Sequence, residues 1–127
     1  MTAARLEHIN MTVSDPHATA AWLGRVFGWK IRWEGAGMQT GYSVHCGDDD
    51  TYVALFTYPE TPGPKDESYV TLGGFNHWAV VVGDLDAVEE RVKAEGFETK
   101  SHADYEPGRR FYFNDADGIE VEVVQYD

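Results

Sequence analysis

Cysteine is nearly absent. Cys46 is the only one in 127 residues, which excludes an internal disulfide framework and a cysteine-based zinc site. A lone thiol suits a reducing compartment, and a cytoplasmic location is the expectation. Basic residues are scarce as well: 10 Lys and Arg stand against 22 Asp and Glu, for a formal charge of −12. Such a surface repels phosphate backbones and anionic bilayers, so neither nucleic acid nor membrane is an expected partner. No stretch approaches the roughly 18 consecutive apolar residues of a membrane helix. The opening MTAARLEHIN lacks the apolar core of a signal peptide. Proline is sparse and crowded, with Pro59, Pro62 and Pro64 in one short segment. What is present is 43% hydrophobic and 13% aromatic residues, enough for one ordered domain with a real core.

The chain repeats itself. HINMTVSDPHA from His8 and HWAVVVGDLDA from His77 share the pattern H-x4-V-x-D-x2-A at a constant offset of 69. A helix pattern follows each copy. Pro16 to Phe27 has Pro16 suited to the first helical position and Ser14 or Asp15 as cap. Leu85 to Glu95 has Asp84 as cap and Gly96 as stop. Each helix is followed by a short extended stretch, Trp29–Trp33 and Phe97–Lys100, and then by two strand patterns. These are Gly41–Cys46 and Thr51–Tyr58 in the first half, Arg109–Phe113 and Ile119–Gln125 in the second. Acidic turns join them, Asp48-Asp49-Asp50 and Asp115-Ala116-Asp117-Gly118. Each half therefore reads β-α-β-β-β, over about residues 4–58 and 74–127, with 59–73 as a linker. The expected class is α+β, with two curled mixed sheets around a cavity and helices on their outer faces.

Strand alternation assigns faces. Ile9, Met11 and Val13 belong under a helix, which turns His8, Asn10 and Thr12 to the opposite face. By the same rule His77 and Ala79, and Glu120 and Glu122, face away from the helix in the second half. Two imidazoles and a carboxylate on three strands are good ligands for a first-row divalent ion and leave open positions for a substrate. At an offset of 68, Ala54 stands where the second half has Glu122, so the expected set is His8, His77 and Glu122, with no fourth protein ligand. Glu122 has a second reading, an ion pair with Arg109 or Arg110, because an unpaired buried carboxylate is costly.

Other residues carry paired readings. His45 is a candidate base or proton relay or else a strand histidine whose face alternation leaves open. Tyr112, on the strand of Arg110, is a candidate acid or hydrogen-bond donor to substrate, or an aromatic core residue. Tyr52, Phe56 and Tyr58 share the face of Ala54 and would line a pocket or fill it. Asn10, Tyr52, Ala54, Phe56 and Arg110 are the expected substrate pocket. Trp22 reads as core, Trp29 and Trp33 as candidates for an interface between chains. His17 and His102 read as solvated.

The paired units, the strands LEHINMTV and FNHWAVVV, and the ending FYFNDADGIEVEVV resemble the vicinal oxygen chelate superfamily across nearly the whole chain. It includes glyoxalase I, extradiol dioxygenases, fosfomycin-resistance enzymes and bleomycin-binding proteins. The resemblance implies that His8, His77 and Glu122 fall on three metal-ligand positions. Ala54 falls where glyoxalase I has a further ligand. Tyr112 falls on a pocket tyrosine of the fosfomycin-resistance enzymes, while Asn10 and His102 stand where those enzymes have the lysine and threonine that help bind the antibiotic. The implied function is a metal-dependent enzyme, leaning to a dioxygenase, whose small substrate chelates Fe(II) or Mn(II), with Zn(II) and Ni(II) as further options. Two alternatives stand beside it: a lyase, isomerase or fosfomycin-resistance-like transferase working without O2, and a binder that sequesters a drug or metabolite without turnover. The resemblance also implies a homodimer, with His8 of one chain joining His77 and Glu122 of the other in some members.

Overall fold

The computed structural model describes residues 2–37, 40–60, 63 and 67–127. Two compact units divide the chain, Met1–Gly63 and Pro64–Asp127. The first contains β1 (His8–Thr12), α1 (Pro16–Phe27), β2 (Lys30–Ala36), β3 (Tyr42–Gly47) and β4 (Tyr52–Thr57). The second contains β5 (His77–Val81), α2 (Leu85–Ala94), β6 (Thr99–Tyr105), β7 (Gly108–Asn114) and β8 (Glu120–Tyr126). Each unit is a four-stranded mixed sheet with a helix packed on one face, and the strand orders are the same: β1-β4-β3-β2 and β5-β8-β7-β6. The α+β class and the β-α-β-β-β repeat are as the sequence implies. Among the described residues no helix is long and apolar enough to cross a membrane.

Local chemistry explains the helix ends. The Asp15 carboxylate accepts a hydrogen bond from the Ala18 N–H at 3.1 Å, and Asp84 does the same for Ala87 at 3.1 Å, which satisfies an amide the helix itself leaves unpaired. Gly28 closes α1 at φ 74°, and Gly96 stands just past α2 at φ 92°, conformations that cost glycine little. The buried faces have helical spacing: Pro16, Thr19, Ala20, Leu23 and Val26 in α1, and Leu85, Val88 and Val92 in α2.

Those faces meet the alternate strand positions. In the first unit Met11, Val13, Val44, Cys46, Val53 and Leu55 are buried, and Trp22 is core as expected. In the second unit Phe111, Phe113, Ile119, Val121 and Val123 are buried. Each such side chain contributes roughly 1.5–3 kcal/mol. The other face of each sheet is left to the residues that carry chemistry.

Two strands differ from the sequence pattern. β6 runs to Tyr105 instead of stopping at Lys100, through an irregularity between Lys100 and Ala103 where Ser101 adopts φ 55°. A bulge lets an edge strand continue where a polar run such as TKSHADY has no alternation to read. β2 likewise extends to Ala36 through an irregularity between Ile31 and Trp33. The segment expected as a linker is not bare connector. Ser68–Val70 forms a 3-10 turn, and Tyr69 reaches back to β5; residues 61, 62 and 64–66 of that expectation lie outside the described residues.

Candidate metal centre

In the second unit the parallel β5–β8 register sets His77 beside Glu120 and Ala79 beside Glu122. The antiparallel β7–β8 register sets Tyr112 beside Glu122 and Arg110 beside Val124. Side chains on adjacent strands that share a register position share a face, so His77, Glu120, Glu122, Tyr112 and Arg110 all project from the side of the sheet opposite α2.

The contacts are specific. His77 Nε2 lies 3.1 Å from Glu122 Oε1. Arg110 donates from Nη1 to the other oxygen, Glu122 Oε2, at 2.9 Å, and from Nη2 to the Gly108 carbonyl at 3.1 Å. Its guanidinium also covers the Tyr105 ring, 4.4 Å from the centroid. The arginine pairing is therefore present, through Arg110; Arg109 instead donates to Asp86 at 2.9 Å. On the far side of the imidazole, Nδ1 lies 3.1 Å from the Tyr69 hydroxyl and 3.3 Å from Glu120 Oε1. Tyr69 donates its proton to Glu120, which pushes the phenol up to about 12. Lys100 Nζ stands 3.5 Å from the second oxygen of Glu120. Tyr112 packs edge-on against His77 with ring centroids 5.5 Å apart. Burial, followed by the charge and acceptor oxygen of Glu122, raises its hydroxyl pKa above the usual tyrosine range.

In the first unit His8 occupies the same place in β1 that His77 occupies in β5, and Asn10 pairs with Ala54 where Ala79 pairs with Glu122. The Nδ1 of His8 meets Glu7 Oε1 at 2.8 Å. Its ring stacks on Tyr52 at 4.8 Å, and His45 stacks on the same ring at 4.5 Å. His45 thus faces the side of Tyr52 and Ala54, which alternation had left open, with Trp33 against it at 4.9 Å. Burial lowers its pKa below the ordinary histidine value, helped by the nearby charges of His8 and Arg32. Arg32 covers Tyr52 at 4.8 Å. Phe56 meets Tyr58 edge-on at 4.8 Å. The two histidines read as solvated are exposed but engaged: His17 with Glu34 at 2.8 Å, His102 with Glu89 at 2.6 Å.

The structure thus brings together His77, Glu122, Tyr112 and Arg110 in one unit, and His45, Tyr52 and Ala54 with His8 nearby in the other. Tyr69, Glu120 and Lys100 are additions around His77. Glu120 was legible as the alternate partner of Glu122. Tyr69 carries no periodic signal.

The chain matches the model of the Glyoxalase/Bleomycin resistance protein/Dioxygenase superfamily over residues 5–123. It belongs to that superfamily. Solved structures agree in fold. A glyoxylase/bleomycin resistance protein/dioxygenase domain from Frankia sp. EAN1pec is 22% identical, with a TM-score of 0.83 over 99% of this chain and 94% of that one. The fosfomycin resistance protein FosX of Listeria monocytogenes, in complex with Mn(II) and sulfate, is 21% identical, with a TM-score of 0.73 over 99% and 95%. FosX of Mesorhizobium loti gives 21% and 0.71 over 97% and 92%. At such identities the likeness concerns the superfamily's fold. No curated protein matches the chain significantly.

FosX of Listeria monocytogenes was solved with Mn(II), and two groups of the second unit have the spacing of a ligand pair. Two ligand atoms each about 2.1 Å from an ion, at right angles, lie about 3 Å apart, and His77 Nε2 and Glu122 Oε1 are 3.1 Å apart. Because Tyr69 gives its only proton to Glu120, the contact from His77 Nδ1 to the phenol oxygen requires the imidazole proton on Nδ1. Nε2 faces a carboxylate oxygen, and either a second ring proton or a cation between the two atoms accounts for that approach. Among the described residues no three His, Cys, Asp or Glu side chains gather as an ion site; His77 and Glu122 form a pair.

Proposed function

We propose that the chain is a metal-dependent enzyme acting on a small molecule that binds a divalent ion through two neighbouring oxygens, with His77, Glu122 and His8 as the protein ligands. The observation that carries this reading is the approach of His77 Nε2 to Glu122 Oε1 at 3.1 Å while the opposite nitrogen is already engaged. His8 is the third ligand by its equivalent strand position and by its own Nδ1, held by Glu7 at 2.8 Å. Mn(II) or Fe(II) suits a set of two imidazoles and one carboxylate, and Zn(II) or Ni(II) are alternatives. The ion supplies Lewis acidity for negative charge developing on the substrate's oxygens.

The chain's own groups do the rest. Arg110 holds Glu122 by one oxygen and so presents the other. Tyr112, kept protonated by burial and by Glu122, is the hydroxyl that would turn its one hydrogen bond from Glu122 to a substrate oxygen. His45, kept neutral at pH 7 by the downward shift of its pKa, is able to accept a proton. Tyr52, Phe56, Ala54 and Asn10 supply the apolar and amide surface of the pocket. Three protein ligands leave positions for a chelating substrate and for O2, which favours a dioxygenase. A second reading, addition or lyase chemistry without O2, is favoured by the fold shared with FosX, a protein solved with Mn(II). A third, sequestration without turnover, requires no metal. A homodimer in the cytoplasm is the expected state.

Metal analysis of the purified protein tests the reading, with His77→Ala, Glu122→Ala and His8→Ala beside it. One ion per chain, lost in each variant, supports it. No ion bound after loading with Mn(II) or Fe(II) overturns it and leaves the sequestering protein. Oxygen uptake with catechols and hydroxy-carbonyls, against anaerobic turnover, separates the two chemistries.

A further inference from the structure

His77 is more elaborately held than a ligand strictly needs. Two groups from separate parts of the second unit meet the edge that faces away from Glu122, the Tyr69 hydroxyl from the 3-10 turn and the Glu120 carboxylate from β8, and the Lys100 ammonium from β6 backs Glu120. Tyr69 is 57% exposed, so its burial does not explain the placement. Its phenol bridges Glu120 and the imidazole: with the phenol O–H given to the carboxylate, the phenol oxygen is the acceptor open to an Nδ1–H. Lys100 balances the charge of Glu120 from the other side at 3.5 Å.

We propose that Tyr69 and Glu120 are positioning residues that lock His77 in the Nδ1–H tautomer and thereby aim an unprotonated Nε2 at the ion. The inference rests on the metal reading above and adds to it the residues that set how tightly the site binds. A neutral imidazole in free solution prefers to carry its proton on Nε2, the nitrogen that has to be bare here. An acceptor at Nδ1 reverses that preference, fixes the ring about its Cβ–Cγ bond, and raises the basicity of the opposite nitrogen. Glu120 alternates with Glu122 on one strand face, so one short segment supplies both an ion ligand and the anchor of the neighbouring ligand. Tyr69 makes the device conditional on the 3-10 turn: if Ser68–Val70 moves away, His77 loses its nearest acceptor.

Two measurements on the full chain test this. Long-range 1H–15N NMR of the metal-free protein reads the tautomer directly. The wild type is expected to show His77 protonated at Nδ1, and Glu120→Ala and Tyr69→Phe to move it toward Nε2–H. Titration with Mn(II), followed by the loss of the free-ion EPR signal, reads affinity. Glu120→Ala is expected to weaken Mn(II) binding by roughly 10–100-fold, Tyr69→Phe by less, and Glu120→Gln, which keeps an acceptor oxygen, to fall between wild type and alanine. Circular dichroism keeps a fold defect apart, and Glu120→Gln remains informative if the alanine variant unfolds. Wild-type tautomer and affinity in all three variants overturn the proposal while leaving the metal reading standing. A wild-type protein that takes up neither Mn(II) nor Zn(II) overturns the metal reading, and this proposal with it.

Discussion

Arg110 grips Glu122 by Oε2 at 2.9 Å and leaves Oε1 facing His77. The two residues are diagonal neighbours across the β7–β8 ladder, and neither side chain has much access to water, at 11% and 10% exposed. A charge in such a place needs a counter-charge. The guanidinium therefore serves as the carboxylate's cation and steers the free oxygen.

Replacing Arg110 by methionine is expected to lower the melting temperature of the metal-free protein, because Glu122 then keeps only His77 and Tyr112 beside it. Mn(II) is expected to raise that melting temperature by more than it raises the wild type's, since the ion supplies the missing charge. Thermal melts with and without Mn(II) check this; an equal metal-induced shift in both proteins contradicts it.

Acid stability has a local source in the second unit. Burial of Glu89 works to raise its pKa, but hydrogen bonds from His102 at 2.6 Å and Thr99 at 2.6 Å outweigh it and hold the carboxyl below its ordinary 4.5. A group whose pKa is lower in the folded state stabilises the fold above its unfolded value and loses that contribution as pH falls through the folded one. Thr99→Val is therefore expected to lose stability at pH 7 and to show a flatter decline below pH 4.5. Urea melts across pH 2.5–7 (a range of about that width suffices) read both effects.

Cys46 is fully enclosed between β3 and α1, and burial pushes its thiol up to about 11. The thiolate is the reactive form. A disulfide reagent at pH 8 is expected to leave native protein unlabelled over the time in which it labels one thiol per chain in guanidinium. Fast labelling of the native state refutes this.

Gly108 opens β7 against Gln125 in β8. A Cβ there would sit 2.0 Å from the Gln125 carbonyl oxygen, a backbone atom that has no room to give. Gly108→Ala is expected to destabilise the protein by about 2–3 kcal/mol. Because the same register sets Tyr112 beside Glu122 and Arg110 one pair further along, Mn(II) affinity should fall with it. Gly63→Ala, where a Cβ meets nothing within 4 Å, serves as the neutral control.

The sequence by itself determined the repeat, both helices with a cap at Ser14 or Asp15 and at Asp84, and the faces of β1, β5 and β8. These depend on interactions a few residues apart: a carboxylate three positions before an amide, an apolar residue at every second strand position. His8, His77 and Glu122 stand out for that reason, as polar residues on the face that the core leaves free. Ala54 is equally legible, since the repeat shows where its carboxylate would have been.

Only the tertiary structure decided who holds whom. Glu122 takes Arg110 and not Arg109 because the β7–β8 register turns the first to its face and sends the second toward Asp86. His45 joins Tyr52 because β3 pairs with β4 in one register out of several that its short apolar pattern would accept. Tyr69 reaches His77 from a turn with no periodicity, and its bond to Glu120 spans 51 residues. Contacts of that separation are set by strand pairing and packing geometry, which a single sequence does not display.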